Sequence, residues 1–144
     1  MEITKFSEHC TYFDFIRSTT ARLNNIDNTP DKIQIANGKV VAREIYDKVK
    51  SNFKQCFISS FFRSLSLNKK IKGSKNSQHM KGEAIDIDSH SNVYNKQIFD
   101  WIKDNLEFDQ LINEFPDKNG NPSWVHVSFK RQGKNRKQVL TINK

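Results

Sequence analysis

The stretch SQHMKGEAIDID, residues 77–88, carries His79, Gly82, Asp86 and Asp88 between small and apolar residues. Further on, the alternation in SWVHVSF (123–129) puts Trp124, His126 and Ser128 on one face of a strand, opposite Val125, Val127 and Phe129. Taken singly, His79 or His126 is more often a hydrogen-bonded structural histidine than a ligand. Read together with Asp86, they match what catalytic zinc requires: three protein ligands drawn from His, Asp or Glu, usually a local pair and a distant third, with a fourth position left open. His79 and Asp86 would be the local pair. Gly82, lacking a Cβ, lets the chain reverse between them. Two neutral imidazoles and one carboxylate leave a Zn2+ centre with a net charge of about +1, able to act as a Lewis acid and to bring the pKa of a coordinated water to roughly 7.

The elements that must position these groups are legible to different degrees. AIDID (84–88) alternates strictly, so Ile85 and Ile87 face a core while Ala84, Asp86 and Asp88 share the other side. CTYFDFIRSTTARLNN reads as helical and stops at NIDNTP (25–30), and a second helix is expected from about Asn37 to Asn52 on the stripe Val41, Ile45, Val49. QCFISSFF (55–62) reads as a strand, followed by a long polar loop, RSLSLNKKIKGSKNS. VYNKQIFDWIKDNL (93–106) places Ile98, Trp101, Ile102 and Leu106 on one helical side. FDQLINEF (108–115) and SWVHVSF form a hairpin through PDKNGNP, and QVLTIN is expected at a sheet edge. This order predicts one α+β domain over residues 1–144, with a small, mainly antiparallel sheet flanked by helices.

Composition narrows the classes of function. The net charge of +8, carried by 18 Lys and six Arg, clusters in NKKIKGSK (68–75) and KRQGKNRKQ (130–138). That balance suits an anionic partner or a solvated face. Base reading prefers Arg, so no specific nucleic-acid partner is expected. MEITKFSEHC lacks the basic start and apolar run of a secretory signal, and no window approaches the roughly 18 apolar residues of a membrane span. Cytoplasmic synthesis, no membrane partner and a monomer are therefore the expectation. Cys10 and Cys56 fit neither a disulfide scaffold nor a metal knuckle and read as buried thiols. His9 and His90 complete no spaced ligand set.

The run Ser77-Gln78-His79-Met80-Lys81-Gly82-Glu83-Ala84-Ile85-Asp86, with Trp124-Val125-His126, resembles the S-x-H-x-x-G-x-A-x-D and W-x-H signatures of the zinc D-Ala-D-Ala carboxypeptidase and murein endopeptidase superfamily (peptidase M15-like). TTARLNNIDNTP and SSFFRS resemble the opening and the "S-G-Y-R-S" strand end of its phage and prophage branch. The resemblance implies the hedgehog/D-Ala-D-Ala peptidase-like fold, with zinc in a cleft on the sheet, and a zinc metallopeptidase acting on peptidoglycan stem peptides as carboxypeptidase or endopeptidase. It implies His79, Asp86 and His126 as ligands, and Arg63 as the cleft arginine that holds substrate or oxyanion. Such a chain, released by a holin as an endolysin, would act at the cell wall. Several branches carry a general-base Glu where this chain has Ser123; the substitute is Glu114, at the end of the preceding strand, with Asp117 as runner-up. Ser77 is expected to support the His79 loop, Asp88 to orient a ligand histidine, and Trp124 to line the cleft or pack beside it. The rival reading is a catalytically silent, zinc-containing wall-binding module; a third is a basic nucleic-acid-binding protein.

Overall fold

The computed structural model describes residues 4–144. Its centre is a five-stranded sheet made of β3 (Phe57–Ser60), β4 (Ala84–Asp88), β5 (Gln110–Glu114), β6 (Trp124–Ser128) and β7 (Gln138–Ile142), in the order β3-β4-β6-β5-β7. A separate two-stranded hairpin joins β1 (Lys5–Ser7) to β2 (Cys10–Thr11). In the central sheet β3·β4, β4·β6 and β6·β5 are antiparallel, but β7 runs parallel to β5. The sheet is therefore mixed: three of its four pairings are antiparallel, and the parallel β5·β7 pair departs from the expected hairpin-type pattern. The connection explains the direction. β6 ends beside the start of β5, where the Asp109 amide donates to the Ser128 carbonyl, and residues 129–137 double back so that Lys137 N–H reaches the Phe108 carbonyl. A strand that begins beside the beginning of β5 and pairs with it can only run alongside in the same sense.

One face of the sheet is core. Ile85, Ile87, Leu111, Val125 and Val127 are fully buried and belong to one cluster with Val41, Ile45 and Val49 from the long helical segment and Ile98 and Ile102 from α6 (Asn92–Asn105). Full burial of each such side chain is worth about 1.5–3 kcal/mol, so this apolar layer fixes the register of the strands that carry the opposite, cleft-lining face.

The helical segments depart from the expected boundaries, and hydrogen bonding at their ends says why. The N-terminal third contains two short helices, α1 (Tyr12–Ile16) and α2 (Thr19–Leu23), in place of one. Thr11 and Asp14 form a reciprocal capping box, and Ser18 caps α2 through the Ala21 amide, while Arg17 between them is extended. The next helix begins at Lys32, five residues before Asn37, because Asp31 and Gln34 form a second capping box. It continues as α3 (Lys32–Val41), one turn of i→i+5 hydrogen bonding (Ala42–Tyr46) and α4 (Asp47–Asn52). The expected loop after β3 contains α5 (Leu65–Lys70), capped by Ser64. Among the described residues no helix is long and apolar enough to cross a membrane.

Candidate metal centre

His79, Asp86 and His126 converge although they lie on three elements: a 3-10 turn (Gln78–Lys81), β4 and β6. Strand register does part of this, since Asp86 stands directly opposite His126. All three residues are buried, and one ligand atom of each lies within 4.8 Å of the others. Asp86 Oδ1 is 3.2 Å from His79 Nε2 and 3.1 Å from His126 Nδ1. Zinc with tetrahedral bonds of about 2.0–2.1 Å holds adjacent ligand atoms about 3.3 Å apart.

Protonation strengthens the fit. His79 Nδ1 lies 2.6 Å from the Phe61 carbonyl. A carbonyl can only accept, so Nδ1 carries the proton and Nε2 presents a lone pair. Burial lowers the His79 pKa against the pull of Asp86, which favours the neutral ring. Nε2 is then buried without a hydrogen-bond partner, facing a carboxylate oxygen. Two acceptors in that position call for a cation between them. Burial pushes the Asp86 carboxyl up, but the imidazoles beside it, with the His126 Nδ1 hydrogen bond, outweigh burial and hold the group well below the usual carboxylate range. The donor set is an ionised carboxylate with two imidazoles, which suits a divalent ion of zinc type.

The His79 turn is fixed from three sides. Ser77 Oγ accepts from the His79 amide, as expected. Gly82 closes the turn at φ 73°, and a Cβ there would run into the Gln34 carbonyl, so the reversal needs glycine twice over. From α3, Gln34 Nε2 donates to the Met80 carbonyl and Asn37 Nδ2 to that of Lys81. Arg63, just beyond β3, is held by its neighbours: Asn28 donates to the Phe62 carbonyl and accepts from the Ser64 amide, gripping the backbone on both sides. The segment NIDNTP therefore does more than stop a helix. The Arg63 guanidinium lies 3.5 Å from Asp86 Oδ2, the oxygen turned away from the histidines. Burial pulls its pKa down while Asp86 and Glu114 push it up, and it remains a cation.

Glu114 opens into the same cleft, about 390 Å³ in volume, as Arg63, His79, Asp86 and His126. It is half-buried, and desolvation raises its pKa above the ordinary value, His126 opposing and Asp86 adding to the rise. Trp124 stands opposite Glu114 in the register, packs edge-on against Phe115 and lines the cleft as well. Ser123 turns its hydroxyl onto the Phe115 carbonyl. Asp117 lies outside the cleft, exposed in the hairpin loop, where it accepts from the amides of Asn119 and Asn121. Asp88 bonds Ser89 and Asn95 and orients no histidine of the site; the Phe61 carbonyl takes that part for His79. His90 stacks on Phe57, and the His9 amide is bonded to Asp47.

Residues 8–128 match the model of the Peptidase M15 family. The chain belongs to the peptidase M15 family. Membership makes it a metallopeptidase, and the His79, Asp86, His126 group is where the M15 fold of this chain could hold its metal. No curated protein matches the chain. Both cysteines of this M15 peptidase are free and buried, and burial pushes the Cys10 thiol up to about 12, so it supplies no nucleophile near neutral pH.

One support of the M15 site had no signal in the sequence. Asp109 is fully buried and accepts from Gln78 Nε2, next to His79, and from Arg136 through both backbone and guanidinium. The Arg136 hydrogen bonds, foremost, hold its carboxyl well below the usual range. A carboxyl depressed in the folded state stabilises the fold above its unfolded pKa, and the contribution fades as pH falls through the folded value. Asp109→Asn is expected to cost about 1.5–3 kcal/mol at neutral pH, the scale of hydrogen bonds to a charged group. Urea unfolding against pH checks this: the gap to wild type should narrow below about pH 4, and a gap independent of pH would count against the ion pair.

Proposed function

We propose that the protein is a zinc-dependent hydrolase of peptide bonds in peptidoglycan stem peptides. The observation that carries this reading is the partnerless, buried His79 Nε2 facing Asp86 in a cleft shared with Arg63 and Glu114. His79, Asp86 and His126 would hold the metal, which when bound supplies Lewis acidity toward the scissile carbonyl and acidifies water. Glu114, half-buried and with a raised pKa, takes a proton from the attacking water as the oxygen–carbon bond forms. The Arg63 guanidinium donates to the developing oxyanion. Glu114 then passes the proton to the departing nitrogen as the carbon–nitrogen bond breaks, which leaves one new carboxylate and one new amine. The +8 charge favours an anionic wall as the surface the protein works on. The similarity of TTARLNNIDNTP to the phage and prophage branch supports an endolysin setting, with wall access after holin-type release.

Mass spectrometry of muropeptides after digestion with the zinc-loaded protein tests the reading. New pairs of amine and carboxyl ends in the stems are expected and would identify the bond; intact stems, with the protein still retained on walls, would instead make it a silent binding module.

Arg63→Ala is expected to lower kcat about 10²-fold, the scale for one oxyanion donor. Metal content should change little, because the Asp86 oxygen facing the histidines is not the one facing Arg63. Unchanged kcat would reduce Arg63 to an ion-pair partner of Asp86.

A further inference from the structure

The cleft has two unlike banks. Ser74, Asn76, Ser77 and Gln78 make a polar bank, while Ile112, Trp124, Leu140 and Ile142 make an apolar one. Half of the apolar bank comes from β7, which lies beyond the 8–128 span of the family match, so family membership assigns these residues no part.

The register places the apolar bank relative to the chemistry. Asp86, His126, Ile112 and Leu140 are successive partners across β4, β6, β5 and β7, forming one row that begins at the metal group. The neighbouring row runs from Trp124 through Glu114 to Ile142. Adjacent strands are about 4.8 Å apart, so Leu140 lies roughly 10 Å from His126 along its row, the length of about three extended residues. Ile112 is buried, Leu140 is part-buried and Ile142 is 41% exposed, which makes a graded aliphatic surface leading outward from the centre. The strand is also firmly placed. Arg136 is bonded to Asp109, the Gln138 amide to the Asp109 carbonyl and Lys137 Nζ to the Leu106 carbonyl, while the same Asp109 carboxylate holds Gln78 beside His79.

We infer that β7 builds a substrate subsite: Leu140 and Ile142, continued by Ile112, bind an uncharged, aliphatic part of the peptide two to three residues from the scissile bond. This rests on the peptide-hydrolase reading and adds to it the part of the substrate this chain selects by its own C-terminal strand. The residue bound there has methyl or methylene groups to bury, and a carboxylate at that point would have no partner among the aliphatic side chains.

The test uses N-acetylated stem peptides of two to five residues. Binding is measured on the full-length Glu114→Gln protein by calorimetry and by methyl NMR of Leu140 and Ile142, with turnover by the unaltered protein measured in parallel. Lengthening the peptide should tighten binding about tenfold, the scale for aliphatic groups in an apolar pocket, and only the longer peptides should shift the Leu140 and Ile142 methyl signals. Adding Leu140→Ser and Ile142→Ser should abolish this gain. Val139→Ser, on the other face of the same strand, should keep it and so separates subsite loss from disruption of β7. A length gain that survives Leu140→Ser with Ile142→Ser overturns the subsite while turnover upholds the hydrolase; a gain lost with those changes but unaccompanied by any turnover upholds the subsite and sinks the hydrolase. Absence of both binding and turnover overturns both.

Discussion

Replacing His79, Asp86 and His126 together by alanine is expected to take bound zinc from about one per chain to none and to abolish hydrolysis. Each residue contributes a different part. His79 brings a lone pair already aimed by the Phe61 carbonyl, Asp86 a carboxylate between the two rings, and His126 a ring fixed opposite Asp86 by strand pairing. Loss of any one leaves two ligands, too few for a tight catalytic-type site. The loss should also register without substrate. A metal that binds only the folded state stabilises it by about 2.7 kcal/mol at a hundredfold excess over Kd. Wild-type Tm should therefore rise with added zinc and the triple variant's should not. Atomic absorption after dialysis and a thermal melt check the two arms; stoichiometric zinc in the triple variant would show that the metal binds elsewhere.

The convergence of His79, Asp86 and His126 was legible because its parts obey local rules. Alternation in AIDID and SWVHVSF puts Asp86 and His126 on the polar face of neighbouring strands, and Gly82 marks the turn that brings in His79. Apolar periodicity missed the helix starts, which side-chain caps set: Thr11 with Asp14 and Asp31 with Gln34 mark the true starts of α1 and α3. A five- or six-residue helix such as α1 or α5 is too short for a period to show. What a local reading does not reach is contact between distant segments. Asn28 grips both sides of Arg63, Gln34 and Asn37 hold the His79 turn, and Asp109 ties that turn to β7. Each is an ordinary polar residue in sequence, and its meaning comes from the backbone group that tertiary folding sets beside it. The parallel direction of β7 has the same origin: QVLTIN reads as an edge strand, but only the anchoring of residues 136–138 near the start of β5 fixes which way it runs.

Glu114→Gln is expected to lower kcat about 10²–10⁴-fold with zinc still bound, the range for losing a general base. The substitution keeps size and one accepting oxygen but cannot take a proton. The fold should tolerate it, since the Glu114 backbone holds its place in β5 through pairing with β6 and β7 and through the Ser123 amide. The environment supports the role: Trp124 and Ile142 flank Glu114 in its register row, desolvation raises its pKa, and Arg63 and His126 restrain the rise. A carboxylate so placed is more basic than a solvated one. Two companion variants sharpen the test. Ser123→Ala should be mild, because the hydroxyl is committed to the Phe115 carbonyl. Asp117→Asn should leave kcat within a fewfold while loosening the hairpin loop whose Asn119 and Asn121 amides it holds. Steady-state kcat and zinc content measured on all three decide the assignment. Full activity in Glu114→Gln with loss in Asp117→Asn would move the base into the loop, and full activity in both would leave proton transfer to the metal centre alone.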